Sequence, residues 1–279
     1  MELQNKINNS IKIIKLAAKE AEKYNEPLEV CYSGGKDSDI ILQLAKMAEV
    51  NFVAIYKNTT IDPPGTKKHV LENGVTIKNP QTNFFDLIKK KGFPSFTRRF
   101  CCQVLKEYKI YNVAILGIRR DESQKRRKRY KSFEECRIYN KKERVRQYYP
   151  ILDWSLLDVK NFIQLYNIKL APIYYDQNGN IDFNRRLGCQ GCPLATDRGK
   201  KDFKENKKIL IAWLKAGAVY TATHKTRYTN VYDAFVNLLF YKNYSSFKEA
   251  QTGIFKEYNI NSKQVIETYF GIKIEDNTG

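Results

Sequence analysis

The positions of apolar residues predict alternating helices and strands over the first half of the chain. Apolar side chains recur at steps of three and four residues near its start, at Ile7, Ile11, Ile14, Ala18 and Ala21. This is the period of an amphipathic helix with one buried face. The residues at 25–27 interrupt the pattern, and the apolar run at residues 28–32 has the length of a buried strand.

The next segments predict a βαβ unit. Residues 39–49 have a helical pattern, and residues 52–56 are again strand-like. Two strands joined through a helix form a right-handed crossover, which implies a parallel sheet covered by helices. Further strands are predicted at residues 75–77 and 113–118, and further helices at residues 84–90 and 102–108.

The second half of the chain has a different pattern. A basic run at residues 119–131 predicts an exposed or phosphate-facing surface. Ser155 and Asp158 resemble a helix-capping pair and predict a helix through about Tyr166. After Pro193 helices are predicted at residues 204–215, 231–240 and 246–258. We therefore expect an α/β domain at residues 1–150, followed at residues 151–279 by a cysteine-containing segment and a helical C-terminal lobe.

Composition and charge narrow the class of protein. The chain has 279 residues, 42% of them hydrophobic, so it can bury a substantial core. Lys and Arg outnumber Asp and Glu by 49 to 30, and the net charge of +19 attracts nucleotides, phosphorylated small molecules or nucleic acid. The first residues lack the features of a signal peptide, and no apolar run is long enough to cross a bilayer. We therefore expect a cytoplasmic protein with no membrane partner.

A glycine-containing motif follows the first predicted strand directly. The sequence Ser33-Gly34-Gly35-Lys36-Asp37-Ser38 leads from that strand into a helix. Two glycines allow a sharp turn that brings backbone amides against an anion, and the helix N-terminus adds its positive dipole end. Lys36 supplies a cation, the serines supply hydroxyl donors, and Asp37 supplies a carboxylate able to hold magnesium. The motif predicts a loop that binds pyrophosphate.

The spacing of this motif differs from that of a Walker A loop. No GxxxxGK[ST] pattern occurs in the chain, which disfavours transfer of a γ-phosphate by a P-loop ATPase. The motif instead resembles the loop of the pyrophosphate-loop superfamily, whose members bind ATP or an adenylyl sulfonucleotide and commonly act at the α-phosphorus. The alternative interpretation is a glycine-rich turn without a ligand.

Five further motifs resemble those of the phosphoadenosine phosphosulfate reductase-like family and follow in that family's order. They are Asn58-Thr59-Thr60 with Asp62-Pro63-Pro64-Gly65-Thr66, Arg99-Phe100-Cys101-Cys102, Gly117-Ile118-Arg119-Arg120-Asp121-Glu122-Ser123, Pro150-Ile151-Leu152-Asp153-Trp154, and Gly188-Cys189-Gln190-Gly191-Cys192-Pro193. The resemblance covers about residues 28–194. It implies a doubly wound, mostly parallel sheet with helices on both faces and a nucleotide at the strand ends.

The resemblance also implies roles for individual residues. The expected ligand is ATP or an adenylyl sulfonucleotide with magnesium. The expected nucleotide-binding residues are Ser33, Gly34, Gly35, Lys36, Asp37, Ser38, Asn58, Thr59, Gly117, Arg119 and Arg126. Of these, Lys36, Asp37 and Arg119 are the expected catalytic residues. A guanidinium group can pair bidentately with phosphate oxygens, but a solvated surface is the alternative for the basic run.

The cysteines predict metal binding or redox chemistry, because structural disulfides are rare in a reducing cytosol. Cys189 and Cys192 form a CxxC pair, and the Cys101-Cys102 pair lies upstream at a separation resembling that of iron-sulfur sulfonucleotide reductases. The expected ligands of a 4Fe-4S cluster are Cys102, Cys136, Cys189 and Cys192, with Cys101 as an alternative ligand. Structural zinc and unligated thiols are the alternatives.

Three other residues are expected to have structural roles. Cys31 lies within the first predicted strand, where a free cysteine serves as a small hydrophobe in the core. His69 and His224 are the only histidines, and their spacing indicates neither paired ligands nor a triad. We expect both histidines to be surface or satisfied residues.

One departure from the family bears on function. Reductases that form a thiosulfonate intermediate carry a nucleophilic cysteine near the C-terminus, whereas no cysteine follows Cys192 here. The leading hypothesis is therefore an ATP pyrophosphatase that adenylylates a substrate, with nucleic acid as a candidate substrate. This resembles pyrophosphate-loop enzymes of tRNA thiolation and DNA phosphorothioation. The alternatives are a sulfonucleotide reductase that releases sulfite and a non-catalytic nucleotide or nucleic-acid binding module. A sulfur donor or a thioredoxin-like protein is a further expected partner.

Overall fold

The computed structural model describes residues 2–240 and 261–275, which belong to two compact units. The sheet unit comprises residues 1–58, 62–80 and 103–187, and the helical unit comprises residues 59–61, 81–102 and 188–279. The helix predicted at residues 246–258 lies outside the described residues.

The sheet unit is built on a six-stranded sheet. Its strands are β1 (Leu28–Tyr32), β2 (Phe52–Lys57), β3 (Thr76–Lys78), β4 (Val113–Leu116), β5 (Glu134–Tyr139) and β6 (Glu143–Tyr148). They lie in the order β3-β2-β1-β4-β6-β5, and every neighbouring pair is parallel except β5 and β6. β2 and β3 therefore lie on one side of β1, and β4, β6 and β5 lie on the other. This confirms the predicted α/β class with a mostly parallel sheet.

The helices agree in part with the predicted ones. In chain order they are α1 (Glu2–Glu22), α2 (Lys36–Ala48), α3 (Thr66–Glu72), α4 (Phe84–Lys91), α5 (Phe100–Leu105), α6 (Gln124–Arg129), α7 (Leu156–Leu165), α8 (Lys200–Glu205), α9 (Lys207–Thr223), α10 (Val231–Phe240) and α11 (Ser262–Phe270), with short 3-10 turns at Arg120–Glu122 and Pro172–Tyr174. In the sheet unit α1 packs against α2, α7 and β4. None of the helices in the described part of the chain is long and apolar enough to cross a membrane.

The centre of the sheet explains why its strands are continuous apolar runs. Val30 of β1 lies between Ala54 of β2 and Ile115 of β4 in the register of the sheet. Val30 and Ile115 are fully buried, because the faces of a parallel sheet are covered on both sides. Ile14 on the apolar face of α1 belongs to the same core. The period of the first helix thus predicted the surface that packs.

The helical unit has a core of aromatic rings. Trp213 of α9 packs against Phe84 of α4, with ring centroids 5.0 Å apart, and against Phe203 of α8 at 5.4 Å. Phe93 and Phe235 complete this cluster, with centroids 5.4 Å apart. Such pairs contribute packing energy beyond that of the buried area. The described C-terminal helices confirm the predicted helical character of this part of the chain.

The hairpin of β5 and β6 was missed by the sequence analysis. Its two strands have the sequences EECRIY and ERVRQY, in which charged residues dominate and β5 has no fully buried position. A strand on the edge of a sheet can be formed without the apolar run that marks a central strand. The basic run before it forms α6, none of whose residues is buried, but Arg119 is buried. Arg119 is therefore not exposed, and the phosphate-facing alternative for this residue stays a prediction.

The division into units differs from the predicted boundary near residue 150. The sheet unit continues to residue 187, and residues 81–102 belong to the helical unit. The reason is that α7 packs against α1 and α2 of the sheet unit. The predicted capping pair begins α7, because Ser155 accepts from the Asp158 amide and the Asp158 carboxylate accepts from the Ser155 amide at 2.6 Å.

A buried serine joins α1 to the segment that precedes α7. The Ser10 hydroxyl donates to the Pro150 carbonyl at 2.7 Å and accepts from the Trp154 indole N–H at 3.1 Å. Ser10 is fully buried, so neither partner can exchange this bond for one with water. The motif at residues 150–154 therefore has a structural role in the sheet unit.

We expect Ser10→Ala to lower the free energy of unfolding by about 1–3 kcal/mol, because it leaves a buried indole N–H and a buried carbonyl without their partner. Ser132→Ala is the matched control, since Ser132 is exposed and its loss is expected to cost under about 0.5 kcal/mol. Urea-induced unfolding measures both. Equal destabilisation by the two substitutions would contradict the role given to Ser10.

Candidate functional site

The glycine motif forms the turn between β1 and α2. Gly34 has φ of +78°, a left-handed conformation that side chains rarely adopt, and a methyl group there would lie 3.0 Å from the Thr66 Cγ2 atom. Gly35 is the N-cap of α2 and provides no side-chain bond to the first turn. The turn predicted from the glycines is therefore present, and it ends at the N-terminus of a helix.

The turn lies where the strand order of the sheet reverses. β2 continues the sheet on one side of β1 and β4 continues it on the other. In sheets of this kind, ligands bind beyond the carboxyl ends of the strands at this point. Gly117 follows β4, and a methyl group there would lie 2.7 Å from the backbone oxygen of Asp37. Gly117 thus allows the close approach of the β4 end to the first turn of α2.

Asp37 lies between two cationic side chains. Its Oδ1 atom accepts a hydrogen bond from the Arg119 Nε at 2.7 Å, and its Oδ2 atom lies 4.0 Å from the Lys36 Nζ. Arg119 also donates to the Trp154 carbonyl at 3.3 Å and lies 3.6 Å from the Asp121 carboxylate. In this arrangement Arg119 is held by protein partners, so its observed contact with the loop is through Asp37.

Lys36 is buried and bonded to the protein itself. Its Nζ donates to the Arg185 carbonyl at 3.2 Å, and its backbone amide donates to the Tyr174 hydroxyl at 3.1 Å. Burial lowers the pKa of Lys36, and the nearby Asp37 carboxylate opposes this change. Burial also disfavours the charged form of Tyr174 and raises its pKa to about 12, which keeps the hydroxyl protonated.

Residues 174–187, which we term the covering segment, lie against the loop. The Leu187 side chain packs beside Gly34 and Gly35. Ser33 is exposed and Asp37 partly exposed, whereas both glycines, Lys36 and Ser38 are buried. The Lys36 ammonium group has three N–H donors, and its bond to the Arg185 carbonyl uses one of them. The exposed edge of the loop is formed by Ser33 and Asp37.

A buried polar group supports the loop from within the core. The Asp39 carboxylate accepts from the Tyr32 hydroxyl and is 2.9 Å from the His69 Nε2. Among the described residues its second oxygen has no hydrogen-bond partner. Burial raises the pKa of Asp39, and the bond with His69 opposes this change. His69 is a satisfied residue, as one of the two predicted alternatives has it. The buried Asp39–His69 contact itself was not predicted. The sequence feature that could have indicated it is the acidic Asp39 in the first turn of the buried helix α2.

A second charged group lies on the basic segment. Glu122 forms an ion pair with Arg126, and its backbone carbonyl accepts from Arg186 at 2.9 Å. Burial raises the pKa of Glu122, while Arg126 opposes this change. Arg126 is thus paired with a carboxylate here, and its role as a phosphate partner stays a prediction. The Arg186 side chain is 56% exposed and was missed, although it directly precedes the CxxC region.

The predicted residues Asn58 and Thr59 belong to different units. Asn58 is in the sheet unit and donates to the Asn79 side chain at 2.8 Å. Thr59 is in the helical unit, where it is buried and its hydroxyl oxygen is 3.6 Å from the Cys189 sulfur. The structure therefore brings Thr59 to the cysteines, whereas its expected contact with a nucleotide stays a prediction.

The cysteine motifs converge in the helical unit. A hydrogen bond with Cys102, burial, and the nearby Cys102 and Cys189 thiols all raise the pKa of Cys101. The CxxC turn is closed by a bond from the Cys192 amide to the Cys189 carbonyl at 3.2 Å. Cys101, Cys102, Cys189 and Cys192 are all partly buried. The two pairs that were separate in the sequence are thus parts of one compact unit.

Glycines hold the chain beside the CxxC pair in close contact with its surroundings. Gly191 has φ of +75°, and a methyl group there would lie 2.3 Å from the Phe203 ring. A methyl group at Gly199 would lie 2.3 Å from the carbonyl carbon of Gly191. Residues 191 and 199 therefore touch, and the chain between them forms a closed loop that begins with Cys192.

The predicted four-thiolate site is not assembled in the described residues. No group of three or more His, Cys, Asp or Glu side chains among them could hold a metal ion. Cys136 is exposed on β5 of the sheet unit, while the other predicted ligands belong to the helical unit. The residues as arranged do not fit a 4Fe-4S cluster or structural zinc, which need four converging ligands. Cys31 is partly buried in β1, and burial raises its pKa, as expected of an inert thiol.

Comparison with known proteins identifies relatives of this chain. An uncharacterised protein of Methanocaldococcus jannaschii is 30% identical over 208 residues, which are 67% of this chain and 46% of that protein. Sulfate adenylyltransferase subunit 2 of Vibrio cholerae is 29% identical over 236 residues, covering 72% of this chain and 74% of that protein. The tRNA-cytidine(32) 2-sulfurtransferase of Haemophilus ducreyi is 34% identical over 94 residues, covering 30% of each.

The chain spans 46% and 44% of the lengths of the two Methanocaldococcus jannaschii proteins that it matches. The sequence profile of the phosphoadenosine phosphosulfate reductase domain matches residues 27–195. The matched part includes the loop of β1 and α2, the Arg119 segment and the CxxC pair. With more than half of its length matched, the chain belongs to the phosphoadenosine phosphosulfate reductase domain family, within the pyrophosphate-loop superfamily.

Proposed function

We propose that this chain is an enzyme that binds ATP at the loop of β1 and α2 and transfers the adenylyl group to an acceptor. The observation that carries the proposal is the Gly34 turn at the reversal of the strand order. Lys36 and Asp37 follow it in the first turn of α2, and Asp37 forms an ion pair with Arg119. Backbone amides at such a turn favour a polyphosphate, and the position in the sheet is the one where nucleotides bind.

The proposed reaction is a displacement at the α-phosphorus. An oxygen of the acceptor forms the new bond, the bond from the α-phosphorus to the bridging oxygen breaks, and pyrophosphate leaves with the released electron pair. Lys36, together with the exposed Arg186, would stabilise the charge that develops on pyrophosphate. Arg119 is a positioning residue in this proposal, because it holds Asp37 against the end of β4.

Magnesium would supply further charge neutralisation on the phosphates when it is bound. This ion commonly takes one or two carboxylates and completes its shell with water and substrate phosphates. Asp37 is partly exposed at the N-terminus of α2 and has the chemistry of such a ligand. A site with a single protein carboxylate is therefore compatible with the loop.

The named relatives support adenylyl transfer and sulfur chemistry. One relative is named for sulfate adenylyl transfer and another for transfer of sulfur to a tRNA cytidine. We propose that the thiols of Cys101, Cys102 and Cys189 take part in the transfer of sulfur in the present chain, since they lie together in one unit. Reduction of a sulfonucleotide, with a thioredoxin-like partner, is the competing outcome of the tests below.

We expect Lys36→Met to reduce the rate of pyrophosphate release from ATP by roughly a hundredfold, because it removes a charge that the transition state needs. Methionine fills the buried position of the lysine stem without a charge to desolvate, so folding is preserved. Lys12→Met, at an exposed position of α1, is the control and retains the wild-type rate. The assay uses ATP and magnesium with sulfate or oligonucleotides as acceptors.

Two outcomes of this assay would overturn the proposal. One is an equal rate of pyrophosphate release in Lys36→Met and wild type. The other is sulfite release from an adenylyl sulfonucleotide and a dithiol, without pyrophosphate release from ATP, by the same wild-type preparation. The second result would establish the reductase alternative.

Gly34→Ala tests the turn itself, and Gly74→Ala is its matched control. Both glycines have positive φ, of +78° and +69°, so each substitution is expected to cost about 1–2 kcal/mol of stability. A methyl group at Gly34 also meets Thr66, whereas one at Gly74 meets nothing within 4 Å. Calorimetric titration with ATP and magnesium is expected to show lost affinity for Gly34→Ala alone. Equal affinities of the two variants would contradict a loop that binds phosphate.

Iron, sulfide and zinc analysis of the anaerobically purified protein tests the predicted metal site. We expect Cys136→Ser to leave the metal content per chain unchanged, because Cys136 is exposed and belongs to no group of potential ligands in the described residues. Cys189→Ser is the comparison variant within the helical unit. Loss of metal from Cys136→Ser would restore Cys136 to the ligand set.

A further inference from the structure

The helical unit contains a cavity of about 990 Å³ that the nucleotide loop does not account for. Its walls are the chain after α4, the chain after the CxxC pair, and α9 and α10 with the residues that connect them. Every lining residue that the structure describes belongs to the helical unit. The volume is at the upper end of the range for small-molecule sites, so a ligand larger than one mononucleotide fits.

The charged side chains that line this cavity are all basic among the described residues. They are Arg98, Arg198, Lys225 and Arg227, and no Asp or Glu is among the described lining residues. Elsewhere in the protein, cations such as Arg129 are paired with a carboxylate. A wall with one sign of charge focuses the potential on the space it encloses and favours an anionic ligand.

Two of the cavity arginines are positioned by backbone carbonyl groups. Arg98 donates to the Lys91 carbonyl, and Arg198 donates to the Leu238 carbonyl at 3.0 Å. Within the described part of the chain neither forms an ion pair with a carboxylate. Burial lowers the pKa of Arg198, as expected for a cation withdrawn from water without an opposite charge. Neutral carbonyl partners orient these guanidinium groups and leave their positive charge available to a ligand.

Aromatic side chains alternate with the cations on the cavity wall. Phe96 is 61% exposed, which is unusual for a large apolar side chain. The Tyr228 ring carries the Arg227 guanidinium at 5.0 Å from its centroid, and its hydroxyl donates to Asn237 at 2.7 Å. Tyr220 is a third ring of the lining. Rings held beside guanidinium groups offer stacking surfaces for nucleobases next to partners for phosphates.

These features distinguish between classes of ligand. A divalent cation is repelled by the basic wall, and an inorganic anion does not use the aromatic rings. A double helix does not use the aromatic rings either, because its bases are already stacked on one another. A single strand supplies both a row of phosphates and unstacked bases, which matches the two kinds of side chain.

We propose that this cavity binds a segment of single-stranded nucleic acid, with Arg98, Arg198, Lys225 and Arg227 on the phosphates and Phe96 stacked on a base. The proposal goes beyond adenylyl transfer and does not depend on it, because the cavity residues are all separate from the nucleotide loop. If both proposals hold, the bound strand is a candidate acceptor for the adenylyl group.

The test is fluorescence anisotropy of the full chain with a labelled single-stranded oligouridylate, and with the matching DNA strand and RNA duplex. We expect Arg98→Gln with Arg227→Gln to weaken binding of the single strand at least tenfold, and to reduce the salt slope by about 1.4 for the two lost charges. Phe96→Ala is expected to weaken binding roughly tenfold with an unchanged salt slope, since base stacking is not electrostatic. The RNA and DNA arms show which backbone is preferred.

The control is Lys12→Gln with Lys15→Gln, which removes two exposed charges from α1. It is expected to change binding less than about twofold, since charges that do not line the cavity contribute only to the general field. Equal weakening by both double variants, or unchanged binding in Phe96→Ala, would show attraction by net charge alone and overturn the proposal. ATP affinity, measured in parallel, stays at the wild-type value in the cavity variants, so failure at the nucleotide loop is recognised separately.

Discussion

The ion pair between Asp37 and Arg119 is the constraint on which the loop geometry depends. It joins the first turn of α2 to the segment after β4, which are remote in sequence but adjacent at the reversal of the sheet. Gly117 permits this contact, because any larger residue there would collide with the backbone of Asp37. The position of the loop therefore depends on this ion pair and on the absence of a side chain at Gly117. A buried pair of this kind loses much of its stabilising effect if either partner is removed, since the other is left without compensation.

The residues of the candidate loop site, the cysteines and the basic cavity are divided between the two units. The glycine loop between β1 and α2, the buried Asp39 carboxylate and the Glu122–Arg126 ion pair belong to the sheet unit. The cysteine pairs and the basic cavity belong to the helical unit. A short stretch at residues 59–61 also belongs to the helical unit. There the Thr59 hydroxyl oxygen lies 3.6 Å from the Cys189 sulfur, and the Ile61 carbonyl accepts from the Gln190 amide at 2.9 Å.

The central strands, the first helices and the glycine turn could be predicted because local patterns determine them. The apolar run of β1 and the spacing of Ser33 to Ser38 require no knowledge of distant residues. The hairpin of β5 and β6 could not be found this way, since its charged strands are stabilised by an edge of the sheet that other segments create. The partners of Arg119, Lys36 and Asp39 depend on long-range contacts as well. The sequence positions of cysteines likewise do not tell which of them converge, and Cys136 was included as a ligand because it lies between the two pairs and avoids the use of two adjacent cysteines.

The contact between Gly191 and Gly199 has a mechanical consequence. The loop that it closes contains Cys192 at its beginning and Arg198 at its end, and residues 193–196 and Arg198 contribute to the cavity wall. Because the two ends of this loop are in contact, a displacement at one end is transmitted to the other through a short, closely packed segment. Alkylation or oxidation of Cys192 and occupation of the cavity would therefore act on the same small ring of backbone. The Cys192 thiol and the Arg198 guanidinium group thus lie at the two ends of seven residues of chain whose flanking glycines are in contact.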